Sequence, residues 1–232
     1  MLALLLYLLD GIIHLISEYL HFPAVKYGSK ILLMPLLALF LISKVKSNNK
    51  LILSALFFSW LGDIFLMFPR NEYSEQMQKL LFIFGLASFL IAHVFYIFTF
   101  LNEINSVKKV SLIVENPYLV LPFLVFLFFL LYFLFPYLKD MKLPVVVYGS
   151  IINLMALMAL NRKNLVIASS FYLVFIGALL FMISDTTIAV NVFYKAQPWH
   201  RIFIMSTYIL AQALIVYGWV QNQVLSNKSL KI

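Results

Sequence analysis

Eight apolar runs, each close to the length of a membrane crossing, fill almost all of this 232-residue chain. A helix needs roughly 20 mostly apolar residues to cross the hydrocarbon core of a bilayer. We place the runs at 3–20, 30–45, 51–69, 80–101, 118–138, 143–160, 165–190 and 202–221. None of them alternates between polar and apolar residues over about ten positions, as the strands of a membrane barrel do. The pattern therefore predicts an all-α integral membrane protein, a bundle of about eight transmembrane helices.

The composition excludes the main soluble classes. Hydrophobic residues make up 64% of the chain and charged residues 11%, whereas a soluble domain is about half apolar and about a quarter charged. A soluble enzyme, a disordered protein and a fibrous protein are all excluded. Because the breaks between the runs are short, we expect residues 1–232 to form a single polytopic transmembrane domain. The first run has no basic start and no cleavage-site pattern, so we interpret it as the first span.

The positive charge of the chain is distributed as in a membrane protein. The formal net charge is +8, and the Lys and Arg residues fall at the ends of apolar runs. This placement favours contact with anionic membrane lipids and argues against nucleic acid as a partner. The loops on the side of the two termini, with the C-terminal tail, hold nine Lys or Arg residues and the opposite loops hold eight. That difference gives a slight preference for both termini in the cytoplasm.

Three of the nine carboxylates, Asp10, Asp63 and Asp185, lie inside apolar runs. Most of the others fall in loops or tails, where solvation explains them. A charged Asp in the middle of a membrane helix costs roughly 2.5–3.5 kcal/mol, so these three should face other helices or a wet cavity. The third and seventh spans cross the membrane in the same direction. Asp63 and Asp185 should therefore lie in the same leaflet at similar depth.

Other polar side chains belong to the same half of the membrane in this interpretation. They are Lys30, which opens the predicted second span, Tyr148, Tyr208, Gln212, His93, Tyr96, and a stripe of Asp10, His14 and Glu18 on the first span. A single polar residue in a membrane helix often only stabilises helix packing. Several of them at one depth on separate helices are typical of a polar cavity.

Two close carboxyl groups in a low-dielectric site cannot both ionise easily, so one keeps its proton and can act as an acid beside a carboxylate. Such a pair is suited to acid–base hydrolysis, and we expect neither a cofactor nor a metal. A zinc site built from His14, His93 and an Asp is the alternative. The chain has no cysteine and no HExxH, GxSxG or P-loop motif, which argues against thiol, serine-hydrolase and nucleotide-driven chemistry.

Five fragments in order resemble the YhhN-like lysoplasmalogenase family of eight-span membrane proteins. They are GSKILLMPLLALF, SWLGDIFLMF, FGLASFLIAHVFYIFTF, GALLFMISDTTIAVNVF and STYILAQALIVYG, and they extend from Lys30 to about Tyr217. The resemblance implies hydrolysis of the vinyl ether bond of lysoplasmalogens to a fatty aldehyde and glycerophospho-ethanolamine or -choline. It also implies a lysophospholipid substrate that enters from the bilayer.

Under this resemblance, Asp63 and Asp185 are the expected catalytic pair, with the acid and the base not assigned between them. His93, Tyr96, Tyr148, Tyr208 and Gln212 are the expected substrate-binding residues, which position water or the ether oxygen, and Lys30 is expected to hold the phosphate. A lipid-binding protein or proton-coupled carrier without chemistry is the alternative, since transporters also use buried aspartates. The sequence contains no inverted repeat and no matched pair of broken helices, which are typical of such carriers.

Overall fold

The computed structural model describes residues 1–46, 49–67 and 73–229, and within these ranges it contains helices and turns but no β-strand. Eight helical segments in the described ranges are long and apolar enough to cross a membrane. The prediction of an all-α integral membrane protein with eight spans is confirmed. The orientation of the termini, and the single-domain organisation, stay predictions.

Nine α-helices follow one another along the described chain. They are α1 (Leu2–Tyr19), α2 (Pro23–Lys44), α3 (Lys50–Met67), α4 (Glu75–Asn105), the short α5 (Leu112–Glu115), α6 (Leu121–Leu134), α7 (Lys142–Asn161), α8 (Ala168–Ala189) and α9 (His200–Ser229). Three 3₁₀ turns flank α6, at Pro117–Val120, Phe135–Tyr137 and Lys139–Met141, and a π-helical turn, Val190–Tyr194, extends α8.

Two helix boundaries differ from the predicted ones in a way that matters for the site. Helix α2 begins at Pro23 and not at residue 30, because proline is well suited to the first helical position, where its missing N–H costs nothing. Lys30 therefore lies about two turns inside the helix instead of opening it. Helix α4 continues to Asn105, which keeps Glu103 helical. The predicted end of the third span, at Pro69, lies outside the described residues.

The fold contains two compact units, Met1–Tyr96 and Ile97–Ile232, and the boundary falls within α4. In the first unit α1 packs on α2, and α2 on α3. Helices α3 and α4 approach closely at two glycines. A Cβ atom on Gly62 would lie 2.5 Å from the Phe89 ring, and one on Gly85 would lie 2.6 Å from Leu66. At Gly62 a side chain would collide with the Phe89 ring, so glycine allows α4 to approach the backbone next to Asp63.

In the second unit the long helices α8 and α9 make the most extensive contact, and α7 packs on α8. A Cβ on Gly177 would lie 2.9 Å from the backbone oxygen of Ala211, so α8 and α9 touch backbone to backbone at this point. Helix α6 exposes most of its aromatic side chains, including Phe128, Phe129 and Tyr132. In a membrane protein such a surface faces lipid.

Candidate active site

Asp63 is buried in the first unit and forms an ion pair with a lysine from another helix. Its side chain is 4% exposed, and its Oδ1 lies 3.5 Å from the Nζ of Lys30 on α2. The pair forms because Lys30 lies well inside α2, where α2 packs on α3. The pair places a cationic group beside a buried carboxyl group inside the membrane-spanning helices.

Tyr7 on α1 belongs to the same cluster, and the sequence analysis missed it. Its side chain is completely buried, and electrostatic interactions link it to Asp63, Tyr96 and Asp10. Helical spacing places Tyr7 on the same face of α1 as Gly11 and His14, but only the structure shows that this face is buried. His93 and Tyr96 on α4, both predicted site residues, are also fully buried in this unit.

Two of the three members of the polar stripe predicted on the first span, His14 and Glu18, have partners on α2. His14 Nδ1 lies 3.0 Å from Ser29 Oγ and 3.2 Å from the carbonyl oxygen of Lys26. Glu18 Oε2 lies 3.5 Å from Lys26 Nζ. The described residues contain no group of three or more His, Cys, Asp or Glu side chains that could hold a metal ion. The zinc site that the sequence left open is therefore not assembled in this part of the chain.

Asp185 is buried in the second unit, and its partner is a tyrosine from the neighbouring helix. The Tyr148 hydroxyl on α7 donates a hydrogen bond to Asp185 Oδ2. Ser184, the residue before Asp185, donates a hydrogen bond of 3.1 Å to the carbonyl oxygen of Ile204 and so ties α8 to α9. Asp185 is thus held on a helix that is fixed from both sides.

Tyr208 and Gln212 both lie on the buried face of α9. The Tyr208 ring packs edge-on against Phe181 of α8, with 5.4 Å between ring centroids. Two predicted site residues are thus joined directly to the predicted catalytic aspartates, Lys30 to Asp63 and Tyr148 to Asp185. The pairing of Asp63 with Asp185 stays a prediction.

The comparison with protein families matches the chain to the model of the YhhN family over residues 25–219. This chain belongs to the YhhN family. All predicted catalytic and substrate-binding residues, from Lys30 to Gln212, lie within the region that matches the YhhN model, whereas Tyr7 and Glu18 precede it.

Three relatives illustrate what this YhhN chain is similar to. Lysoplasmalogenase TMEM86B of Mus musculus is 31% identical over 176 residues, which cover 76% of this chain and 66% of the mouse protein. Lysoplasmalogenase TMEM86A of Bos taurus is 32% identical and that of Homo sapiens 33%, each over 172 residues that cover 72% of this chain and 64% of the relative. The chain thus spans slightly less than two thirds of the length of these proteins. No solved structure matches it.

A second buried charge cluster of this YhhN protein lies in the second unit. Glu103, which the sequence analysis did not single out, is buried. Its Oε2 accepts a hydrogen bond of 2.8 Å from Nε of the fully buried Arg162, and its Oε1 accepts one of 2.7 Å from Asn222 Nδ2. Arg162 also donates to Ser170 Oγ at 3.0 Å. The cluster joins the ends of α4, α7 and α9 to the start of α8, which is a structural role.

Proposed function

We propose that this protein hydrolyses the vinyl ether bond of lysoplasmalogens and releases a fatty aldehyde and glycerophospho-ethanolamine or -choline. The observation that carries the proposal is the buried Asp63 carboxylate beside Lys30, in a chain whose relatives are named lysoplasmalogenases. Charged groups inside membrane helices are costly and mark functional sites. The eight apolar spans support a lysophospholipid substrate that reaches the site from the bilayer.

Asp63 and Asp185 are the proposed catalytic residues, and their surroundings support different roles for them. Lys30 stabilises the negative charge of Asp63, which suits a group that stabilises a cation and accepts a proton from water. Asp185 is then the acid. The Tyr148 hydroxyl donates to its Oδ2, which leaves Oδ1 to carry the proton that is transferred, since a protonated carboxyl group keeps one acceptor oxygen.

The proposed reaction begins with transfer of the Asp185 proton to the β-carbon of the vinyl ether. The double bond supplies the electron pair for the new C–H bond, and an oxocarbenium ion results, which the Asp63 carboxylate stabilises as paired carboxylates do in glycosidases. Water attacks this ion and loses a proton to Asp63. The hemiacetal then collapses to the aldehyde and the free glycerol hydroxyl, as Asp63 gives its proton to the glycerol oxygen and Asp185 takes the proton of the hemiacetal hydroxyl, which restores both groups. One water molecule is consumed, and no redox step occurs.

The remaining predicted residues have supporting roles in this proposal. His93 and Tyr96 in the first unit, and Tyr208 and Gln212 in the second, are buried polar groups that would position water or the ether oxygen. Lys30, about two turns inside α2, would contact the phosphate as well as Asp63. Tyr7 would join this group as a buried polar neighbour that interacts electrostatically with Asp63.

The test is aldehyde release from a lysoplasmalogen by the purified protein in detergent, without any ion gradient. The saturated alkyl ether analogue, which lacks the double bond, is the matched control and should release no aldehyde. In D₂O, the aldehyde should carry one deuterium at the carbon next to the carbonyl, because that carbon receives the acid's proton. In H₂¹⁸O, the glycerophospho product should contain no label, because the glycerol oxygen keeps its own C–O bond.

Each outcome has a clear meaning. Absence of aldehyde from a well-folded protein would contradict the proposed function and favour the non-catalytic carrier. Aldehyde without deuterium would leave the substrate assignment standing but contradict protonation at carbon. Label in the glycerophospho product would show that the bond on the glycerol side is the one that breaks.

A further inference from the structure

Two lysines on one face of α2 each contact a carboxylate from a different helix. Lys26 and Lys30 are four residues apart, so their side chains leave the helix on the same side. Lys26 Nζ lies 3.5 Å from Glu18 of α1, and Lys30 Nζ lies 3.5 Å from Asp63 of α3. The two pairs form a row of charges in the first unit, with the two lysines between the two carboxylates.

The two ion pairs differ in how much of their side chains is exposed. The Lys30–Asp63 pair lies deeper, with side chains 15% and 4% exposed. The Lys26–Glu18 pair is more open, at 23% and 11%, and it lies where α1 ends and α2 begins, at the level of lipid head groups. A partly exposed ion pair contributes little to stability, so its two charges can exchange partners at low cost.

The position of Lys26 also favours an additional anion. The N-terminal end of a helix carries a partial positive charge and disfavours nearby cations. Lys26 lies close to the start of α2, whose first turn contains no acidic residue and whose N-cap residue, Phe22, makes no side-chain capping bond. An anion between Lys26 and Lys30 would be stabilised by both ammonium groups and by the helix end.

From this row of charges we infer that Glu18, Lys26 and Lys30 bind the zwitterionic head group of the substrate, with the phosphate between the two lysines and the ammonium at Glu18. The inference rests on the proposed function and deepens it, because it assigns Glu18 and Lys26 to recognition of the head group. The order of the charges supports it. The Glu18–Lys26 pair lies where α1 ends and α2 begins, and Lys30 and Asp63 follow further inside their helices. In the lipid, the ammonium likewise lies at the outer end and the vinyl ether further in, with the phosphate between them.

The first experiment compares kcat/KM for lysoplasmenylethanolamine with kcat/KM for the corresponding alkenyl-glycerophosphate, which has no amine. Glu18→Gln should reduce the preference for the amine-bearing substrate about tenfold, mainly through KM, because a charge-assisted contact to the ammonium is lost. Lys26→Met should raise KM about tenfold for both substrates, since both carry the phosphate. A preference that stays within about twofold of wild type in Glu18→Gln would overturn the inference.

Two control variants and a charge-swapped double variant distinguish a loss of head-group recognition from a loss of folding. Glu115→Gln and Lys44→Met remove the same charges at exposed positions outside the site, and both should keep the wild-type preference. The double variant Glu18→Lys with Lys26→Glu restores an ion pair between α1 and α2, but it puts a cation where the ammonium binds. The swapped protein should fold and lose the preference for the amine; a swapped protein that keeps this preference would overturn the inference.

A binding experiment separates the head-group site from the reaction. Saturated lysophosphatidylethanolamine and lysophosphatidic acid differ in the amine, and neither contains a vinyl ether. The first should raise the thermal unfolding temperature of the wild type more than the second, and Glu18→Gln should abolish the difference. If wild type shows this difference but cleaves no vinyl ether, the proposed function fails and the head-group site stands. If wild type cleaves the vinyl ether but shows no such difference, the site fails and the function stands.

Discussion

The Lys30 ammonium lies 3.5 Å from Asp63 Oδ1, so a lysine and an aspartate from two different membrane helices neutralise each other in a buried position. From the sequence, Lys30 is expected to bind the head group and Asp63 to take part in catalysis. The ion pair shows that these two residues are in direct contact. A lysine that both keeps the carboxylate charged and reaches the phosphate would couple substrate recognition to the chemical step, and the predictions below test that coupling.

Lys30→Met should lower kcat at least tenfold in addition to raising KM, because Asp63 loses the cation that stabilises its charge. Lys30→Arg keeps the charge and should recover much of the lost turnover. Steady-state kinetics of aldehyde release measure both effects, with Lys44→Met at the other end of the same helix as the control. A change in KM alone would mean that Lys30 contacts the head group without affecting Asp63.

Asp63→Asn and Asp185→Asn should each reduce kcat by about 10²–10⁴-fold, the range that general acid–base catalysis supplies. The amide keeps the size of the side chain but cannot exchange the proton. Asp140→Asn, at an exposed turn, is the control and should remain active. Size-exclusion profiles and thermal unfolding in detergent establish that the variants are folded. Two folded variants with activity within a few-fold of wild type would assign both aspartates to helix packing.

Tyr148→Phe removes the hydroxyl that donates to Asp185 and leaves the ring in place. We expect kcat to fall about tenfold with little change in KM, since a hydrogen bond to a charged or reacting group contributes about 1.5–3 kcal/mol. The control is Tyr172→Phe at an exposed position on α8. An equal response of the two variants would show that the Tyr148 hydroxyl does not act on the reaction.

Activity should survive treatment with EDTA, because the proposed acid–base pair needs no Lewis acid. The measurement is the initial rate of aldehyde release before and after chelation and dialysis. A loss of activity that zinc restores would instead support a metal-dependent reaction and direct attention to His14 and His93.

Arg162→Met should strongly destabilise the protein, by roughly 3–5 kcal/mol, because it leaves the buried Glu103 without its cation. The double variant that adds Glu103→Gln should recover part of this loss, since no unpaired charge remains. The measurement is the thermal unfolding temperature of the single and double variants in detergent. The control is Lys163→Met, which removes the exposed charge of the residue directly after Arg162. If Arg162→Met and Lys163→Met unfold at the same temperature, the buried pair contributes nothing measurable.

The sequence by itself determined the fold class, the number of spans and the presence of buried aspartates. A bilayer admits only segments whose backbone hydrogen bonds are satisfied internally, so apolar runs of about 20 residues can be interpreted as helices without knowledge of their neighbours. Asp63 and Asp185 stand out for the same reason, because a carboxylate within such a run needs a polar environment. The family motifs around these two residues could also be recognised from sequence.

Only the tertiary structure decided which side chains meet. Lys30 reaches Asp63 because α2 begins at Pro23 and presents Lys30 to α3 from well inside the helix. Glu103 and Arg162 look like solvated charges at the ends of apolar runs, but the ends of several helices converge on them and exclude solvent. Tyr7 has no charge to mark it, and its place beside Asp63 follows from the packing of α1. Contacts of this kind depend on how each helix is rotated and shifted against its neighbours, and hydropathy along one chain carries no information about that.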